Sequence, residues 1–349
     1  MTLMQPSWPV PSTAGVDSAM ADELVTPALA AVREAGPSIT RHFLTALLLS
    51  LFALSALMHA AGLHIDPWRA GNLPYYAAGA VLLSLRFGLP RTAWRHAVPV
   101  ARFCEYAGLF TLISLMGATA SYPVAALTHG YADVALQRVD EALGFNWLGW
   151  YRTVAAHPVL QLLGTAAYRS IYVTPALLLW AKARAGQHAE AYRFIAGFWL
   201  AAVITLAVFS LMPAVGPFSH LWHGAIPYMP ESELWQSGLI PALRAHSVHI
   251  VDLAKLRGIV SAPSFHTAAA VLYIVAAWRM PSMRWPIVAL NVAMLLSTPV
   301  EGTHYLIDML LGAVVAVVSL ALIGFYERMQ FAMARRDRAG APTSVAAAG

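Results

Sequence analysis

The apolar residues of this chain gather into long runs separated by short charged clusters. Eight runs approach the roughly 20 residues that a helix needs to cross a bilayer core of about 30 Å. They lie near 43–63, 73–88, 103–128, 158–181, 190–212, 264–280, 285–301 and 304–325, the second being short. Only Pro281, Ser282, Met283 and Arg284 part the sixth run from the seventh, which predicts a tight helical hairpin. No internal repeat is evident. Residues 1–40 and 335–349, rich in Ala, Pro, Ser and Gly, are expected to be loose tails. The pattern predicts an all-α fold: a polytopic membrane helical bundle of about eight transmembrane helices.

Composition supports that reading. Of 349 residues, 59% are hydrophobic and 11% charged, and the mean hydropathy is +0.61. A soluble domain is about 45–50% apolar and about 25% charged. These values exclude the pair of soluble domains that length alone would suggest, and equally a disordered chain. The net charge of +5 does not point to nucleic acid, because the basic residues form no single patch. The one cysteine, Cys104, allows neither an intrachain disulfide nor a thiolate metal cluster, and its apolar setting suits packing. The first 40 residues lack a basic region followed by an apolar core, so no cleavable signal peptide is expected there.

The charged clusters orient the spans through the positive-inside rule. With the N-terminus in the cytoplasm, the inside segments hold fifteen Lys and Arg residues against six outside, and the remaining one, Arg169, falls near the middle of the fourth span. Both termini are therefore expected inside. Two outside segments are long. Residues 129–157 include the interface-seeking Trp147, Trp150 and Tyr151, and residues 213–263 carry enough aromatics and prolines to predict short interfacial helices.

Two polar segments interrupt the apolar background at the same face. Ser261-Ala262-Pro263-Ser264-Phe265-His266-Thr267 opens the sixth span, and Gly302-Thr303-His304-Tyr305-Leu306-Ile307-Asp308 opens the eighth. The hairpin between them returns the chain to that face, so the two histidines can meet. His304 and Asp308 are four apart and share a helix face. A carboxylate there can accept the imidazole Nδ1–H, leave Nε2 free as base or nucleophile, and stabilise a positive ring. The same pair could simply cap a helix end. Ser264 suits an N-cap, and the N–H groups behind it suit phosphate. His266 could protonate a leaving oxygen; plain capping with an interfacial histidine is the simpler alternative.

Together the segments describe metal-free phosphoryl transfer. Pro-Ser-x-His followed by Gly-x-His-Tyr-x-x-Asp resembles the type 2 phosphatidic acid phosphatase superfamily, with wording closer to its inositol phosphorylceramide synthase-like branch. The resemblance covers a six-helix core over 103–325. It leaves residues 1–40 as an N-terminal tail, 41–102 as two additional helices, and 326–349 as a basic C-terminal tail. It implies that His304 is the nucleophile that becomes phosphohistidine, Asp308 its orienting carboxylate, His266 the acid, and Ser264 a phosphate contact. It also implies an active site on the extracytoplasmic side, a phosphorylated lipid as substrate, and no cofactor or metal.

The sequence departs from the family pattern. The arginine usual six residues before the motif histidine is Thr298, and the lysine-containing first motif is absent. Pro213-Ala214-Val215-Gly216-Pro217 resembles the Pro-x-x-Gly-Pro stretch of the synthase-like branch, but Phe218 follows where a basic residue is common. Lys255 and Arg257, with Arg244 behind them, are the candidate phosphate-neutralising cations. Arg169 is expected either to reach a headgroup or to pair with Glu105 or Glu301. Glu301 is expected as a surface carboxylate at a helix end, or as part of an acceptor pocket. The phosphoryl group would pass to water or to an alcohol. A transporter or lipid-binding scaffold with a His–Asp proton relay is the non-enzymatic alternative. Nothing in the sequence sets the oligomeric state.

Overall fold

The computed structural model describes residues 41–340, and within them the chain is entirely helical, without a strand. Each of the eight apolar runs forms a helix. They are α1 (Arg41–Ala60), α2 (Leu73–Gly88), α3 (Ala97–Ala126), α6 (Pro158–Arg184), α7 (His188–Leu211), α10 (Phe265–Trp278), α11 (Arg284–Glu301) and α12 (Leu306–Gly340). Among the described residues, five of them, α1, α3, α6, α7 and α12, are long and apolar enough to cross a membrane. The protein is a polytopic helical membrane protein. Helix α12 continues to Gly340, through the first part of the segment expected as a tail. Residues 1–40 and 341–349, the remainder of the expected tails, lie outside the described residues.

The two long connecting segments carry the short helices their aromatic content predicts. The first holds α4 (Asp133–Ala142) and α5 (Trp147–Ala156); the second holds α8 (Pro217–Leu221), α9 (Trp235–Arg244) and a 3-10 turn at Leu253–Lys255. Local chemistry sets their limits. Asn146 caps α5 by accepting the Gly149 N–H at 2.9 Å. Pro158 opens α6, where its missing N–H leaves no helical bond unmade.

Residues 45–327 form one compact unit. Within the large unit, α6 packs on α11, α10 lies against α11, α7 and α6, and α3 borders α2, α6 and α7. The connection after α1 is fastened to the segment before the 3-10 turn. The His64 and Val251 N–H groups donate to His249 and His64 carbonyls at 2.8 and 2.9 Å, and Arg69 pairs with Asp252 at 2.9 Å. This attaches the first two helices to the segment that carries Lys255 and Arg257.

Candidate active site

The Pro-Ser-x-His segment is shaped by its cap. Ser264 is buried, and its Oγ accepts the Thr267 N–H at 3.4 Å, which starts α10. His266 falls in the first turn, its ring stacked on Tyr168 at 4.0 Å between centroids. The Tyr168 hydroxyl lies 3.1 Å from His266 Nδ1. An Nδ1–H donating to the phenol oxygen there leaves Nε2 free to give or take a proton.

His304 sits in the bend between α11 and α12. The bend needs a left-handed Thr303 (φ 50°) and a glycine before it. A Cβ on Gly302 would stand 2.7 Å from the His304 ring and 3.1 Å from the Tyr168 ring. His304 and Asp308 are both buried, with Nδ1 3.6 Å from Oδ2. That is longer than a hydrogen bond, and catalytic contacts commonly tighten only around a bound substrate. The second carboxylate oxygen, Oδ1, has no partner. The two motifs touch directly. The Ser264 N–H donates to the Asp308 carbonyl at 3.0 Å, and α12 approaches so closely at Gly312 that a Cβ there would lie 2.2 Å from the Ser264 carbonyl oxygen.

Helix α4 holds this arrangement from one side. Asp140, fully buried, accepts the N–H groups of Leu306 and Ile307 at 2.7 and 2.8 Å and so caps α12. Burial pushes its carboxyl above the usual range, and the two N–H bonds oppose that shift. Asp133 accepts the Val215 and Gly216 N–H groups at 3.0 and 2.9 Å, and also the Tyr305 hydroxyl at 3.1 Å. Gly216 (φ 90°) is required here, because a Cβ would come 2.7 Å from the Thr303 carbonyl oxygen. The Pro213–Pro217 stretch is thereby held against the bend that carries His304. Phe218 does not present a polar group; it is buried against the Trp147 and Tyr151 rings.

Two sequence expectations need correction. Glu301 is not a surface carboxylate but is 1% exposed. It accepts the Tyr228 hydroxyl at 2.8 and 2.9 Å and the Glu231 N–H at 3.1 Å, fastening the loop after α8 to the end of α11. Those donors lie some 70 residues away in sequence, so no local pattern announces them. Arg169 pairs with neither Glu105 nor Glu301. Its guanidinium makes a two-armed contact with Glu231 at 2.8 and 2.9 Å on an exposed face. Glu105 instead takes Arg86, Arg102 and the Tyr192 hydroxyl.

His266 and His304 line one cavity of about 270 Å3. Its lining also includes the polar Glu231, Ser232, Gln236 and Arg257 and the apolar Phe110, Ile113 and Phe198. Of the candidate cations only Arg257 is on the lining, with its guanidinium 5.1 Å above the Trp235 ring. Lys255 is exposed and off the lining. Arg244 is occupied elsewhere, donating to Thr128 Oγ1 and the Gly130 carbonyl at 3.2 and 3.0 Å. Ser264 and Arg169 are also off the lining, and Thr298 spends its hydroxyl on the Met294 carbonyl at 2.7 Å.

Sequence reasoning missed Asp133, Asp140, Tyr168 and Gln236. Asp133 and Asp140 are seven apart on a strongly amphipathic helix, a spacing that places both on one face and could have singled them out.

Fold and cavity together define a polytopic helical membrane protein with paired histidines at one end of the bundle. The chain belongs to the PAP2 superfamily, whose family model matches residues 134–322. Membership supports phosphatase- or phosphotransferase-type activity in general. No individual curated protein and no solved structure matches it.

Proposed function

We propose that the protein is a lipid phosphatase or phosphotransferase working through a phosphohistidine at the extracytoplasmic face, without a metal. The observation that carries this reading is the shared cavity. Both motif histidines open onto it, and much of its remaining lining, such as Phe110, Ile113, Phe198 and Leu206, is apolar, which suits a phosphorylated lipid. With Asp308 nearest Nδ1, Nε2 of His304 is the atom left to attack phosphorus. The N–P bond forms as the P–O bond to the leaving group breaks, and His266, entering as an imidazolium whose Nδ1–H donates to the Tyr168 oxygen, gives its Nε2 proton to the departing oxygen and is left neutral. Asp308 supports the imidazolium, and Arg257 offsets charge on the transferred group. In the second half, water or an alcohol attacks phosphorus, the P–N bond breaks, and His266 takes the incoming proton. The Pro213–Pro217 stretch held at the bend fits the synthase-like branch, in which an alcohol such as inositol would be the acceptor.

The test is direct. Protein purified in detergent with EDTA is given phosphatidic acid with and without inositol, and inorganic phosphate and lipid products are measured beside His304→Ala. Phosphate release that ignores inositol identifies a phosphatase; a phosphoinositol product identifies a transferase. In either case His304→Ala should be silent and an acid-labile phosphoenzyme should be missing from it. An active His304→Ala enzyme refutes the mechanism. Absence of turnover and of phosphoenzyme with every phospholipid and ceramide combination would favour the proton-relay transporter instead.

A further inference from the structure

A second polar chamber lies at the other end of the same helices. α6, α7 and α10 direct Lys182, Glu190, Arg193 and Arg279 into a cavity of about 90 Å3. His266 stands in the first turn of α10 and Arg279 directly follows its last residue, so the two chambers sit at opposite ends of one helix. The Lys182 side chain is only 2% exposed, yet its Nζ is 3.6 Å from Glu190 Oε2, beyond hydrogen-bond distance. The other oxygen of that carboxylate already accepts from Arg279 at 2.6 Å. Arg193 reaches Glu327 at 3.3 Å. Three cations therefore face two carboxylates, and one carboxylate serves two of them. A buried ammonium is costly unless it is matched, so the chamber keeps an excess positive charge beside a space for a small anion.

We propose that this chamber binds a phosphate group, with Lys182 at its floor and Arg193 and Arg279 at its rim. Guanidinium and ammonium donors in this arrangement suit phosphate oxygens. The apolar wall beside them, Leu272, Val275 and Leu320, suits the hydrocarbon of a lipid whose headgroup supplies that phosphate. Free phosphate shares the recognition chemistry. The bias of Lys and Arg along the chain assigns this end to the cytoplasm, where anionic lipids gather. The proposal is independent of the catalytic reading, since no residue of the histidine cavity takes part in it.

Thermal unfolding of the full-length protein in an uncharged detergent tests it, with titrations of phosphatidylglycerol, phosphatidylcholine and inorganic phosphate. The variants are the double substitution Lys182→Met with Arg279→Gln, the single Arg193→Gln in case the double variant does not fold, and Arg184→Gln. Arg184 is an exposed cation at the same end of α6 but outside the chamber. Phosphatidylglycerol should raise the melting temperature of the wild type and of Arg184→Gln, and phosphatidylcholine should not. The chamber variants should need about tenfold more lipid or worse for the same rise. A variant-sensitive rise with inorganic phosphate assigns the chamber to the free anion, and a rise with lipid alone assigns it to a headgroup. Equal responses to the two lipids without a phosphate effect, or chamber variants that titrate like the wild type, overturn the proposal.

Discussion

Replacing Asp140 should loosen the bend that carries His304 without touching either histidine. Its two carboxylate oxygens accept the first N–H groups of α12 at 2.7 and 2.8 Å, in full burial. Losing a helix N-cap costs about 0.5–2 kcal/mol, and a hydrogen bond to a charged group contributes about 1.5–3 kcal/mol. Two such bonds are lost in Asp140→Ala, and the relief of burying one carboxylate offsets part of that. A net destabilisation of about 3 kcal/mol follows, with Asp140→Asn near half of it because one acceptor oxygen survives. The helix start also sets the register between His304 and Asp308, and a shift of about 1 Å at reacting groups can cost roughly 10²-fold in rate. Asp140→Ala should therefore lose turnover by about tenfold or more with little change in KM, as expected for a positioning residue. Chemical unfolding in detergent micelles and steady-state phosphate release measure the two effects. An Asp140→Ala protein as stable as the wild type and turning over at the same rate would refute the assignment of Asp140 as the cap that sets this bend.

Three further outcomes follow from the same geometry. Gly302→Ala must displace the His304 ring from a contact of 2.7 Å; kcat should fall by about 10²-fold, and wild-type kinetics would show that the ring has freedom the packing denies. Arg257→Ala should raise KM for the phosphorylated lipid, with Arg257→Lys recovering only part because it keeps the charge and loses the flat contact with Trp235; unchanged KM in both variants would remove Arg257 from the site. Burial and the Glu301 carboxylate raise the Tyr228 phenol from 10.0 to about 12. A folded pKa above the unfolded one means that its stabilisation is fully present below the ordinary value and is lost as pH climbs through the raised one. Alkaline unfolding curves should therefore be flatter over that window in Tyr228→Phe, and an unaltered slope would show that another group dominates.

The helices were legible because burial in a bilayer leaves a local mark. Each apolar run is its own signal, and all eight runs coincide with helices. The two histidine segments were legible as polar breaks at matching ends of spans, and both line one cavity. What supports them was not legible, because the bonds of Asp133, Asp140 and Glu301 join groups separated by roughly 70 to 170 residues. A carboxylate at a helix end reads as solvated until its donors are known, and that is why Glu301 was misplaced. Arg169 was misread for a related reason: its partner Glu231 lies in a connecting loop, and the alternatives considered, Glu105 and Glu301, belong to helices. Among the four cations weighed, spacing could not separate Arg257 from Lys255, two residues away, because only the path of the loop decides which of them reaches the cavity.

The carboxylates of α4 also impose an order on synthesis. Asp133 finds its partners only once residues 215 and 216 have emerged, and Asp140 only after residues 306 and 307. Through most of translation the ribosome therefore extends a chain whose early helix carries an acidic face with nothing to receive. A product released before α12 would keep Asp140 unmatched and the bend unformed. The contact that shapes the bend carrying His304 thus forms only after α12 has begun to emerge.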